Sequence, residues 1–120
     1  MAPRFDDATG YVIVRGLLTT RQTEAIRGAL LRKAGEVAAS GDYGHDRILE
    51  EGAGTSLAAV PLHERFRKLN QLDLLPELWE YWYAGAPVLD VVRSFIGDDI
   101  LRKYASAFLK PARVGGATPW

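Results

Sequence analysis

The chain has 120 residues, 48% hydrophobic and 25% charged, which is enough for one folded unit with a modest core. Its 15 basic residues balance 15 acidic ones, so no net field gathers phosphate backbone or anionic lipid, and neither nucleic acid nor a membrane surface is an expected partner. Cysteine is absent, which removes disulfides, thiolate metal sites and cysteine nucleophiles and fits a reducing compartment, the cytoplasm.

The opening Met1-Ala2-Pro3-Arg4-Phe5 lacks an apolar leader core, and no apolar run elsewhere is long enough to predict a membrane span. Tyr11-Val12-Ile13-Val14-Arg15-Gly16, bounded by Gly10, predicts a strand buried on both faces. Thr19-Thr20-Arg21-Gln22 has the T-x-x-Q form of a capping box, so a helix is expected to start there. Ile26, Leu30, Ala34 and Val37 give it one apolar stripe, and Gly41 is its expected stop. Ser40 to Ala59 reads as a loop holding a short turn around Arg47 to Glu50.

Pro61 suits the first turn of a second helix, with Leu62, Phe66, Leu69 and Leu72 or Leu75 buried and Glu64, Arg67 and Lys68 outward. Pro76 opens a third helical segment, Glu77 to Tyr83, which Gly85 ends; its Leu78, Trp79, Trp82 and Tyr83 are expected to weight the core. Pro87 begins a fourth, with Val88, Val91, Val92 and Phe95 on one side and Gly97 closing it before an Asp98-Asp99 turn. Ile100 to Lys110 predicts a strand with Tyr104, Ser106, Phe108 and Lys110 on one face and Ala105, Ala107 and Leu109 on the other. Two strands and four helical segments do not complete a sheet of their own, so missing strands are implied and residues 1 to 120 are expected to form a single incomplete domain.

Four blocks of the chain then matter together: Gly10-Tyr11-Val12-Ile13-Val14-Arg15-Gly16-Leu17-Leu18-Thr19, Arg65-Phe66-Arg67-Lys68-Leu69, Pro87-Val88-Leu89-Asp90-Val91-Val92-Arg93-Ser94-Phe95-Ile96-Gly97, and Lys110-Pro111 followed by Thr118-Pro119-Trp120. In this order they resemble the amino-terminal part of the phytanoyl-CoA dioxygenase family, oxygenases dependent on Fe(II) and 2-oxoglutarate. The resemblance implies an α+β fold, namely the helical layer and first strands of a double-stranded β-helix (jelly-roll, cupin-like), incomplete here. It implies an enzyme that in complete form hydroxylates a small organic substrate. In that family the first histidine of the His-x-Asp iron motif follows the Pro-Trp pair, so the iron ligands are expected beyond Trp120 and the 120 residues alone are expected to be inactive.

A facial iron site needs two histidines and a carboxylate. His45-Asp46 and His63-Glu64 lack the His-x-carboxylate spacing, so both histidines read as surface or turn residues, and no catalytic or metal residue is assigned within the chain. The resemblance places Lys68 and Ser106 at positions that contact 2-oxoglutarate, and Lys110 at the cavity mouth. A lysine can neutralise a co-substrate carboxylate through a charge-assisted hydrogen bond, though a helix lysine is also an ordinary solvated charge. Ser106 leaves room for a ligand or for packing, and Lys110 also fits a solvent-facing strand end. Trp79 and Trp82 fit core packing better than a substrate tunnel. A rival reading is a small non-catalytic helical module whose groove joins Trp79, Trp82 and the Leu62 to Leu75 stripe.

Overall fold

The capping box closes as its spacing requires: the Gln22 amide donates to Thr19 Oγ1 at 3.2 Å, and the Thr19 amide donates to Gln22 Oε1 at 2.9 Å. With its first free amides satisfied, helix α1 runs over Thr20–Ser40 in the computed structural model, which describes residues 6–44, 46–48, 61 and 66–109, with backbone alone at 47, 48 and 67. Gly41 ends the helix at φ 69°, as expected of the residue past a helix end. The inward stripe is broader than predicted, because Ala29 and Ala34 are the fully covered positions while Ile26, Leu30 and Val37 are half-buried.

The contacts divide the chain into two compact units, Met1–Arg27 with Asp73–Lys103, and Gly28–Leu72 with Tyr104–Trp120. In the first, Pro76–Leu78 forms a short helix, α2, that widens into a π-helical turn over Trp79–Tyr83, closed by the Ala84 amide on the Trp79 carbonyl at 2.7 Å. Helix α3, Ala86–Ile96, follows with Pro87 in its first turn and Gly97 at φ 81°, whose amide donates to the Arg93 carbonyl at 2.9 Å. Val88 is buried on α3, whereas Trp79 and Trp82 remain 46% and 45% exposed, so the aromatic cluster does not weight the core as predicted. The wider turn stacks Trp79 on Tyr83 instead, with centroids 5.9 Å apart and planes 5° from parallel.

The Tyr11 to Gly16 run is not a paired strand. Tyr11 makes a single antiparallel bridge to Asp6 across a tight turn with Gly10 at φ 74°, and Val12 to Val14 join no ladder. β-branched propensity expresses itself only against a neighbouring strand, and the described residues supply none here.

In the second unit residues 62–65 of the helix predicted from Pro61 lie outside the described residues, and where the chain is described again, at Phe66–Lys68, it is a strand rather than a helix. Arg47–Ile48 (β1) pairs antiparallel with Phe66–Lys68 (β2), with Arg47 opposite Lys68 and Ile48 opposite Phe66. Leu69 then exchanges two 2.9 Å hydrogen bonds with Ala107. Successive residues of an extended run direct main-chain groups to opposite sides, so the 66–69 run lies between β1 and the 105–107 segment. Ile100 to Lys110 is therefore not the continuous strand predicted: it meets the 66–72 run through the bridge at Ala107 and the Ala105 carbonyl without forming a regular ladder, and Lys110 lies outside the described residues. Phe66 and Leu69 are fully buried and Leu72 nearly so, with Tyr43 edge-on to Phe66 at 5.6 Å. These three residues carry the core weight of the described part of this unit, and residues 62–65 of the expected Leu62 to Leu75 stripe lie outside the described residues.

Gly85 and Gly28 are opposite tests of this fold. A Cβ on Gly85 collides with the Tyr81 carbonyl oxygen and lies 2.9 Å from its carbon, whereas one on Gly28 meets nothing within 4 Å. Gly85→Ala is expected to destabilise by about 1–3 kcal/mol through the forced shift, and Gly28→Ala to stabilise α1 by roughly 0.5–1 kcal/mol. Urea unfolding of both variants checks the sign of each effect.

Candidate functional site

Asp46 is the buried polar side chain of the second unit, 8% exposed, and its Oδ1 accepts the Asn70 amide at 2.6 Å. Its own amide donates to the Tyr43 carbonyl at 2.7 Å. From α1, the Lys33 ammonium donates to the Asn70 carbonyl. Both main-chain groups of Asn70 are thus held by side chains from other parts of the sequence, and the chain leaves the β2 direction directly afterwards. The Leu72 amide reaches the Ala105 carbonyl at 3.1 Å, so the step from Leu69 to Leu72 spans one more residue than the step from Ala107 to Ala105. That is a bulge, and Gln71 takes it up at φ 54° in the left-handed region.

The bulge borders a cleft of about 340 Å³ lined by Lys68, Asn70, Gln71 and Tyr104. Lys68, at the end of β2, places Nζ 5.4 Å from the centre of the Phe108 ring, a cation–π contact that fixes the head group beside the opening. One step along the register from the Leu69–Ala107 pair, Lys68 stands opposite Phe108 and Asn70 opposite Ser106, so Lys68 and Ser106 share a face of the pair. Ser106 is half-buried and is not a lining residue of the cleft, where Tyr104 takes that wall. Lys110, His45 and His63 lie outside the described residues. A second cleft, of about 230 Å³, also borders Asn70 and Gln71 and is lined as well by Lys33, Tyr43 and Asp46.

Lys68 was a candidate from the sequence, although on a helix rather than a strand. Asn70, Gln71 and Tyr104 were not. The signal that could have found the first two is the Asn-Gln pair between Leu69 and Leu72, since asparagine favours turns over helix interiors. Chemically the cleft offers one ammonium, two carboxamides and a phenol, a set rich in donors that suits a small anion with oxygen atoms. Among the described residues no group of three His, Cys, Asp or Glu side chains is placed to hold a metal ion.

In the first unit, Arg102 lies over the Trp79 ring at 5.3 Å, and Tyr83 stacks on the same indole. Burial, and secondarily the Asp73 charge, push the Tyr83 phenol above its ordinary value of 10.0. No helix among the described residues is long and apolar enough to cross a membrane. Comparison of the chain with protein families, curated proteins and solved structures found no match.

Two measurements test these arrangements. Asp46→Ala removes the acceptor of a buried amide and is expected to cost about 1–3 kcal/mol in denaturant unfolding, with Asp46→Asn recovering part because it keeps an oxygen acceptor. For Tyr83, a raised folded-state value means that its stabilising effect is complete below the ordinary tyrosine range and is lost as pH rises through the folded value. Ultraviolet titration should therefore show a late-ionising tyrosine that Tyr83→Phe deletes. Asp73→Asn should move it down only partly, since burial is the larger cause.

Proposed function

We propose that the chain is the amino-terminal part of a phytanoyl-CoA dioxygenase-family oxygenase, and that within it Lys68 and Ser106 help to seat 2-oxoglutarate. In this reading β2 and the 104–109 run are the first strands of a jelly-roll whose remaining strands lie outside these residues. The overall reaction consumes the substrate, oxygen and 2-oxoglutarate and yields hydroxylated substrate, succinate and carbon dioxide. Fe(II), held by ligands outside the chain, supplies oxygen activation. What these residues contribute is an ammonium held at a cleft mouth and neutral donors around it, which hold and orient a carboxylate.

The observation that carries the reading is that Lys68 and Ser106, far apart in sequence, share one face of the pair formed at Leu69 and Ala107, next to the cleft that Lys68 lines. A carboxylate entering there exchanges water for a charge-assisted hydrogen bond from Lys68, which is stronger than a neutral one. The Phe108 ring attracts the cation without consuming its N–H donors, so they remain directed by the ligand.

Titration with 2-oxoglutarate tests this directly. Lys68→Ala is expected to weaken binding by about tenfold or more, the worth of one hydrogen bond to a charged group, with little change in melting temperature. Affinity equal to wild type would remove Lys68 from the site. In a longer chain that supplies iron ligands, the reading also requires iron-dependent succinate release, and its absence across a broad substrate panel counts against the oxygenase assignment.

A further inference from the structure

Among the described residues, Gln71 is the one residue other than glycine with a positive φ, 54°. Glycine and asparagine adopt that conformation with least penalty, and a long unbranched side chain gains nothing from it locally. Nor can the backbone relax. The Asn70 amide is held by Asp46, the Asn70 carbonyl by Lys33 and the Leu72 amide by Ala105, so the peptides on both sides are fixed. Strain that the surroundings over-determine is characteristic of ligand-binding positions, and this one lines the same cleft as Lys68 and Tyr104.

The chemistry of the cleft says what such a residue would add. Lys68 is a point charge whose donors rotate, so it attracts any small anion with little regard to shape. A carboxamide is planar and neutral, and its two N–H donors and one acceptor have fixed directions. We infer that Gln71 is a ligand-contacting, specificity-determining residue of the Lys68 cleft, its carboxamide binding the second oxygen of a small carboxylate whose charge Lys68 neutralises. The inference rests on the proposed reading of that cleft as a carboxylate seat. It separates the two roles: Lys68 sets how strongly anions bind, and Gln71 sets which anion is preferred.

The test uses the whole chain, with 2-oxoglutarate and inorganic phosphate as probes in parallel calorimetric titrations. Gln71→Gly relieves the left-handed backbone and should melt at or above the wild-type temperature, yet bind 2-oxoglutarate about tenfold more weakly and lose its preference over phosphate. Gln71→Glu places a like charge against the ligand and should weaken 2-oxoglutarate binding further, with the fold retained. If Gln71→Gly binds both probes as wild type does while Lys68→Ala loses 2-oxoglutarate, the role of Gln71 is overturned and the cleft reading stands. If wild type fails to bind 2-oxoglutarate at all, the cleft reading falls and this inference falls with it.

Discussion

A buried carboxylate holding a backbone amide is an expensive object, and the second unit is organised around one. Asp46 gives up most of its hydration to accept the Asn70 amide, and the geometry must be met because a buried unsatisfied group costs more than the bond returns. Lys33 binds the carbonyl of the same residue, which brings a cation from α1 to the spot where β2 ends. Neither contact is local: Asp46, Lys33 and Asn70 come from a turn, a helix and a strand end. Once all three meet, residues 66–69 must be extended, because a helical Asn70 would spend its amide on the carbonyl four residues before it.

The same node explains why the cleft lies where it does. With Asn70 immobilised and Leu72 drawn to Ala105, the extra residue of the bulge has one place to go, and Gln71 occupies it. The bulge re-aims the chain at the end of the pair, opening space beside Lys68 that a regular ladder would fill with side chains. Packing contributes as well: Phe66 and Leu69, both fully buried, hold the backbone that carries Lys68. A side chain at a strand end is positioned more accurately than one on a free loop.

What the sequence revealed, and what it concealed, follows from the range of the interactions. The Thr19–Gln22 capping box, Pro87 and Gly97 at the ends of α3 and the segment opened by Pro76 were all readable, since each depends on residues within a few positions of one another. The Phe66, Leu69, Leu72 spacing misled because threes and fours are the helical period, while the strand that forms there is selected by Asp46 and Ala107 from distant sequence. Tyr11 to Val14 erred in the other direction, a sound strand composition without a partner among the described residues. The π turn had no signature beyond its aromatic content, and within it Trp79 stacks on Tyr83 and meets Arg102 rather than being buried. Of the candidate site, Lys68 and Ser106 came from resemblance, whereas Gln71 and Tyr104 emerge only once the bulge is known.

The distinction between positioning a charge and cancelling it decides what Lys68 can do. An ammonium paired with a carboxylate has its field neutralised at short range and little left for a ligand, and a fully solvated one spends its donors on water. Against the Phe108 ring, Lys68 is attracted by the quadrupole but keeps its full charge and its N–H groups. Anchoring of this kind limits the rotamers that a long side chain loses on binding, so less of the Coulombic gain is consumed by ordering. The neutral donors around it then matter more than a second cation would, because another positive charge at the cleft would raise affinity for every anion alike and reduce discrimination between them.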